Sequence, residues 1–74
     1  MKIDWVKCPS VWTGGKPYFW TGVTSENHQR LWAVWDRLKL CWIIDGECPK
    51  GGTITFKDGF KTAKSAMKWA DENI

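Results

Sequence analysis

Apolar and polar residues alternate from Ile3 to Lys7, with Ile3 and Trp5 on one side of the chain, which is the period of a half-buried strand. Cys8-Pro9-Ser10 is expected to end it. In Val11-Trp12-Thr13-Gly14-Gly15-Lys16-Pro17 the glycines supply a turn and Pro17 breaks any ladder, so this loop is expected to display Trp12. Tyr18-Phe19-Trp20-Thr21-Gly22-Val23 is rich in strand formers and predicts a second strand. The polar stretch from Thr24 to Gln29 reads as a connection.

Two periods compete between Arg30 and Asp45. Leu31, Val34, Trp35 and Leu38 fall on one helical face, with Thr24 or Ser25 as an N-cap. The aromatic and β-branched content of Trp32, Val34, Trp35, Trp42, Ile43 and Ile44 instead suits two strands joined near Leu38-Lys39, although that turn lacks the Gly or Asn a tight hairpin prefers. The hairpin is favoured.

Asp45-Gly46 and Cys48-Pro49-Lys50-Gly51-Gly52 carry turn chemistry, Thr53-Ile54-Thr55-Phe56 predicts a short strand with Ile54 and Phe56 facing one way, and Asp58-Gly59 predicts a further turn. From Thr62 the period becomes helical. Thr62 is placed to be the N-cap, and Ala63, Ala66, Met67, Ala70 and Ile74 form a stripe at the spacing of one helix face. Lys61, Lys64 and Lys68 share a neighbouring face, with Trp69 on the opposite flank of the stripe. Asp71 and Glu72 sit unfavourably for the helix dipole, which predicts a frayed last turn. The fold class that follows is α+β: a small antiparallel β-meander of three to five strands with one C-terminal α-helix packed on a face, in a single domain over residues 1–74.

Composition adds one item to this picture. In 74 residues there are seven Trp, three Phe and one Tyr, more ring area than so small a core is expected to hide. Several rings are therefore expected to face solvent, and an exposed ring cluster is a binding feature.

Catalytic chemistry is not expected. His28, the single histidine, lies beside Ser25 and Glu26 in a turn-rich segment where solvated loop residues are the ordinary reading. Asp36, Asp45, Glu47 and Asp58 occur where turns want carboxylates, and Gly14-Gly15-Lys16 and Lys50-Gly51-Gly52 lack the spacing of a phosphate loop. Cys8, Cys41 and Cys48 match no common zinc spacing and read as reduced thiols, so neither metal nor cofactor is expected. The opening Met1-Lys2-Ile3-Asp4-Trp5 places charges where a signal or membrane segment would begin its apolar run, and a cytoplasmic location is expected.

Binding remains. The expected partner-binding residues are Trp12, Tyr18, Trp20 and Trp35 as exposed anchors, with Trp69 next to Lys61, Lys64 and Lys68, an anchor-and-rim pattern suited to a protein partner. The alternative is single-stranded nucleic acid, with bases stacked on Trp and phosphates on the lysine face; the net charge of +3 permits this without requiring it, and arginine is scarce. A free sheet edge or face also permits a homodimer.

Three segments together, Leu31 to Asp36, then Cys41-Trp42-Ile43-Ile44-Asp45-Gly46-Glu47, then Gly59-Phe60-Lys61-Thr62-Ala63 through Asp71, resemble the order found in many small bacteriophage and prophage proteins of unassigned function. In these a tryptophan-bearing hairpin precedes a glycine turn, a phenylalanine, a threonine cap and an alanine-rich closing helix. The resemblance covers about residues 30–73 and is one of fold pattern. It implies a phage accessory protein that binds and blocks a host protein, including components of antiviral defence, within the host cytoplasm. It transfers no functional residues, and residues 9–29 lie outside it.

Overall fold

The computed structural model of the protein describes residues 3–9, 18–26 and 28–74. Five strands, β1 (Ile3–Pro9), β2 (Tyr18–Thr24), β3 (Arg30–Asp36), β4 (Cys41–Glu47) and β5 (Thr53–Phe60), form one antiparallel sheet in sequential order, followed by helix α1 (Ala63–Asn73). This is the α+β meander that the alternating periods and the closing helical period predict. The helix lies across β3, β4 and β5.

The β3–β4 hairpin resolves the contest over residues 30–45. Leu31, Ala33 and Trp35 point to the helix side and Trp32 and Val34 to the other, so a strand period places apolar groups on both faces. Leu38, which a helix would have turned inward, is 88% exposed in the turn. That turn does without Gly or Asn by other means: Asp36 Oδ1 accepts from the amides of Leu38 (2.9 Å) and Lys39 (3.2 Å), and Leu40 takes the left-handed conformation at φ 54°. Lys39 Nζ donates to Asp58 Oδ2 at 2.7 Å, tying the turn to β5.

Two expected turns are corrected. Asp45-Gly46 lies inside β4, where Thr55 Oγ1 on β5 donates to Asp45 Oδ1 at 2.7 Å and the missing Cβ of Gly46 makes room for the ring of Phe56. Asp58-Gly59 lies inside β5, which continues to Phe60. Its turn chemistry builds a β-bulge: the register slips between the Trp42↔Phe60 and Ile44↔Lys57 pairs, and Gly59 sits there at φ 84°. A second slip follows before Asp45↔Thr55. β1 likewise runs two residues further than expected, its Pro9 lying on an edge strand, where the missing N–H is tolerated.

Helix α1 starts as its sequence dictates, with the amide of Ser65 donating to Thr62 Oγ1 at 3.1 Å. Its alanines, Ala63, Ala66 and Ala70, are buried against Ile3, Leu31, Ala33, Trp42 and Ile44. Because the helix offers only methyl groups there, larger side chains close the flanks: Trp5, Tyr18, Trp20, Trp35, Phe56, Phe60, Met67, Trp69 and Ile74 pack against this core while partly buried.

Candidate functional site

The register divides the sheet's side chains between two faces of opposite character. On the helix side the rings pack on one another: Tyr18 and Trp42 have centroids 5.9 Å apart, Trp35 meets Trp42 edge-on at 6.0 Å, and Phe60 meets Trp69 at 6.0 Å. Cations cover the outer members of this series, Lys7 Nζ lying 4.2 Å from the Tyr18 ring centroid and Lys57 Nζ 5.9 Å from that of Trp69. Lys61, Lys64 and Lys68 are exposed on the same side of the molecule.

This corrects the expected anchors. Tyr18, Trp20, Trp35 and Trp69 are half-buried rather than exposed, because the alanine-lined helix leaves its margins to be filled by rings. Among the described residues no tryptophan is fully exposed, and Trp42 is 3% exposed. Trp12 lies outside the described residues. Trp69 is on the opposite flank of α1 from Lys64 and Lys68, as the helical spacing requires, and the cation beside it is Lys57 of β5.

The opposite face of the sheet has no described element over it. Alternation from the paired residues places Asp4, Val6 and Cys8 of β1 there, with Phe19, Thr21 and Val23 of β2. β3 adds Arg30, Trp32, Val34 and Asp36, and β4 adds Cys41, Ile43, Asp45 and Glu47. Val6, Phe19, Trp32, Val34 and Ile43 form an apolar strip across four strands. Val6 is 58% exposed, Phe19, Trp32 and Val34 are half-buried, and Ile43, paired with Val34 near the sheet's centre, is 8% exposed.

The charges around the strip are mostly negative. Along the strand direction, Asp4 and Glu47 flank the strip on one side, Asp45 continues the row of Val6 and Trp32, and Asp36 flanks the other side; among the described residues of this face the cation is Arg30, with Arg37 and Lys39 in the adjoining turn beside Asp36. Asp36 and Asp45 each spend one carboxylate oxygen within the fold, Asp36 Oδ1 accepting from two amides and Asp45 Oδ1 from Thr55, which fixes their positions. Among the described residues the helix side carries Lys7, Lys57, Lys61, Lys64 and Lys68 against Asp71 and Glu72 of α1, while the open sheet face carries Asp4, Asp36, Asp45 and Glu47 against Arg30, so the two sides differ in the sign of their excess charge.

None of the strip was singled out from sequence. The signal available was the near-continuous apolar run in residues 31–35 and 41–44, which marks strands carrying hydrophobic groups on both faces, where a one-sided strand would alternate. No protein family, curated protein or solved structure matches the chain.

Proposed function

We propose that the protein is a non-enzymatic binding module that docks on another protein, in the manner of small phage accessory proteins that occupy and block a host protein, components of antiviral defence included. One observation carries this reading: the sheet face away from α1 carries Val6, Phe19, Trp32 and Val34 over a buried Ile43, an apolar strip with Thr21 within it and carboxylates along its sides. An apolar centre framed by polar groups is the anatomy of a protein interface.

The test is affinity capture on the immobilised full chain from a nuclease-treated bacterial lysate. A single protein recovered near one-to-one stoichiometry, and lost on Val6→Lys, is the expected result. Recovery of no protein at useful stoichiometry refutes the proposal.

A second reading is supported by the lysines on the helix side, where Lys7 covers Tyr18 and Lys57 covers Trp69. There a single-stranded nucleic acid would find lysines beside aromatic rings. Titration of tryptophan fluorescence with an oligonucleotide at two salt concentrations tests it, since phosphate binding weakens steeply with salt.

A further inference from the structure

Resting on the reading of the protein as a binding module, we infer that the open sheet face seats a cationic amphipathic helix of its partner. The argument combines shape, backbone chemistry and charge.

The strip from Val6 on β1 to Ile43 on β4 crosses three strand spacings, roughly 14 Å at about 4.8 Å each. That is the length of about ten helical residues. Its two rows, Val6, Thr21 and Trp32, which Asp45 continues on β4, and Cys8, Phe19, Val34 and Ile43, are two residues apart along the strands, roughly 7 Å. A helix about 10 Å wide covers both rows. The interior of a sheet face offers no free backbone donors or acceptors, so an occupant must satisfy its own main chain. A helix does so, and an extended segment lying flat on the face does not. The sheet already packs one helix, α1, on its other face.

Charge selects among helices. Asp4 and Glu47 on one side and Asp36 on the other flank the strip, with Asp45 within it; among the described residues of this face Arg30 is the opposing cation, and Lys39 of the adjoining turn lies near Asp36. Among the described residues none of these four carboxylates has an ion-pair partner, the ion pair present being Lys39 with Asp58. Lysines or arginines flanking an apolar stripe would complete them. The same acids repel nucleic acid and anionic lipid, and two copies meeting through this face would set like charges against each other.

The test uses the intact chain and a short synthetic peptide of Leu and Lys, with leucines at i, i+3, i+4 and i+7, and a matched Leu and Glu peptide as its counterpart. Amide NMR shifts should move on β1 to β4 around Val6, Phe19, Trp32 and Val34 with the lysine peptide only. The double variant Asp4→Lys/Glu47→Lys, both positions being exposed, should weaken that binding by about tenfold or more at low salt and keep the native spectrum. Lys64→Glu/Lys68→Glu should not weaken it. Shifts confined to the helix side, equal binding by the charge-reversed chain, binding of the Glu peptide or an oligonucleotide on the open face, or dimerisation through that face would each overturn the inference. A partner captured from lysate and released by Lys64→Glu/Lys68→Glu, but not by Asp4→Lys/Glu47→Lys, would overturn this assignment while leaving the binding-module reading standing.

Discussion

The ring of Phe56 fills the space that a Cβ on Gly46 would need, so β4 and β5 approach through a glycine and a phenylalanine that are each shaped to the other. Gly46→Ala therefore cannot be accommodated without moving the ring. Overpacking of this kind costs typically about 1–3 kcal/mol, only partly offset by the roughly 0.5–1 kcal/mol that replacing a strand glycine returns. Urea unfolding should show a lower midpoint at unchanged m-value, and Gly46→Ala combined with Phe56→Ala should cost less than the sum of the two single changes.

Leu40 is the converse case, a residue that a glycine would suit better. It holds φ 54° while its side chain is 71% exposed, so it carries backbone strain and loses little packing if removed. A left-handed conformation costs a non-glycine residue roughly 1–2 kcal/mol. Leu40→Gly should raise the thermal midpoint, with a net gain of a few tenths to about 1 kcal/mol after the glycine's larger entropy loss. A fall in midpoint would show that the turn is held by Leu40 itself.

Thr62 anchors the first turn of α1 through the Ser65 amide. Thr62→Ala should cost about 1 kcal/mol in stability, while Thr62→Ser retains most of it because the accepting oxygen is kept. Circular dichroism during unfolding measures both. Equal losses for the two variants would mean that the threonine methyl, and not the hydroxyl, is what matters.

The Lys39–Asp58 pair predicts a pH dependence of defined sign. The hydrogen bond and charge of Asp58 hold the Lys39 pKa above its ordinary value, and the same hydrogen bond and charge from Lys39 hold the Asp58 pKa below the usual carboxylate range. A depressed carboxyl stabilises the fold above its unfolded pKa and loses this as pH falls through the folded value. A raised lysine stabilises it below its unfolded pKa and loses this as pH rises through the folded value. The pair's contribution is thus full between about pH 4 and pH 10 and fades outside that window. Carboxyl NMR titration should place Asp58 lower in the parent chain than in Lys39→Met, and the difference should shrink with salt, both side chains being largely exposed. Coincident titrations would rule the pair out in solution.

Most of the architecture could be read from local pattern. Thr62 and the alanine stripe announced α1, and strand formers at Tyr18–Val23 and Trp42–Ile44 announced β2 and β4. Misreadings came where one residue type serves two ends. Gly46 and Gly59 look like turn glycines because their neighbours are aspartates, but one clears space for a ring 10 residues away and the other relaxes a bulge, both consequences of strand register that no local window contains. The hairpin turn was obscure for the opposite reason, since Asp36 and a strained Leu40 replace the expected glycine.

The candidate surface was less legible than the fold. Counting tryptophans pointed toward exposed rings, yet rings were what the core needed, because the buried residues of α1 are all alanines. Which face a ring joins depends on its parity within the strand. Trp35 and Trp32 are indistinguishable in composition and lie on opposite sides of the sheet.

Among the described residues, an excess of lysine on the helix side and of carboxylate on the open sheet face gives the molecule an electric moment. An approaching charged partner would feel a torque before contact, and at low ionic strength would arrive already oriented toward one side. The same residues shuffled evenly over the surface would carry an identical net charge and steer nothing. Raising the salt until the Debye length falls below the thickness of the domain would erase the guidance while leaving every contact chemically intact.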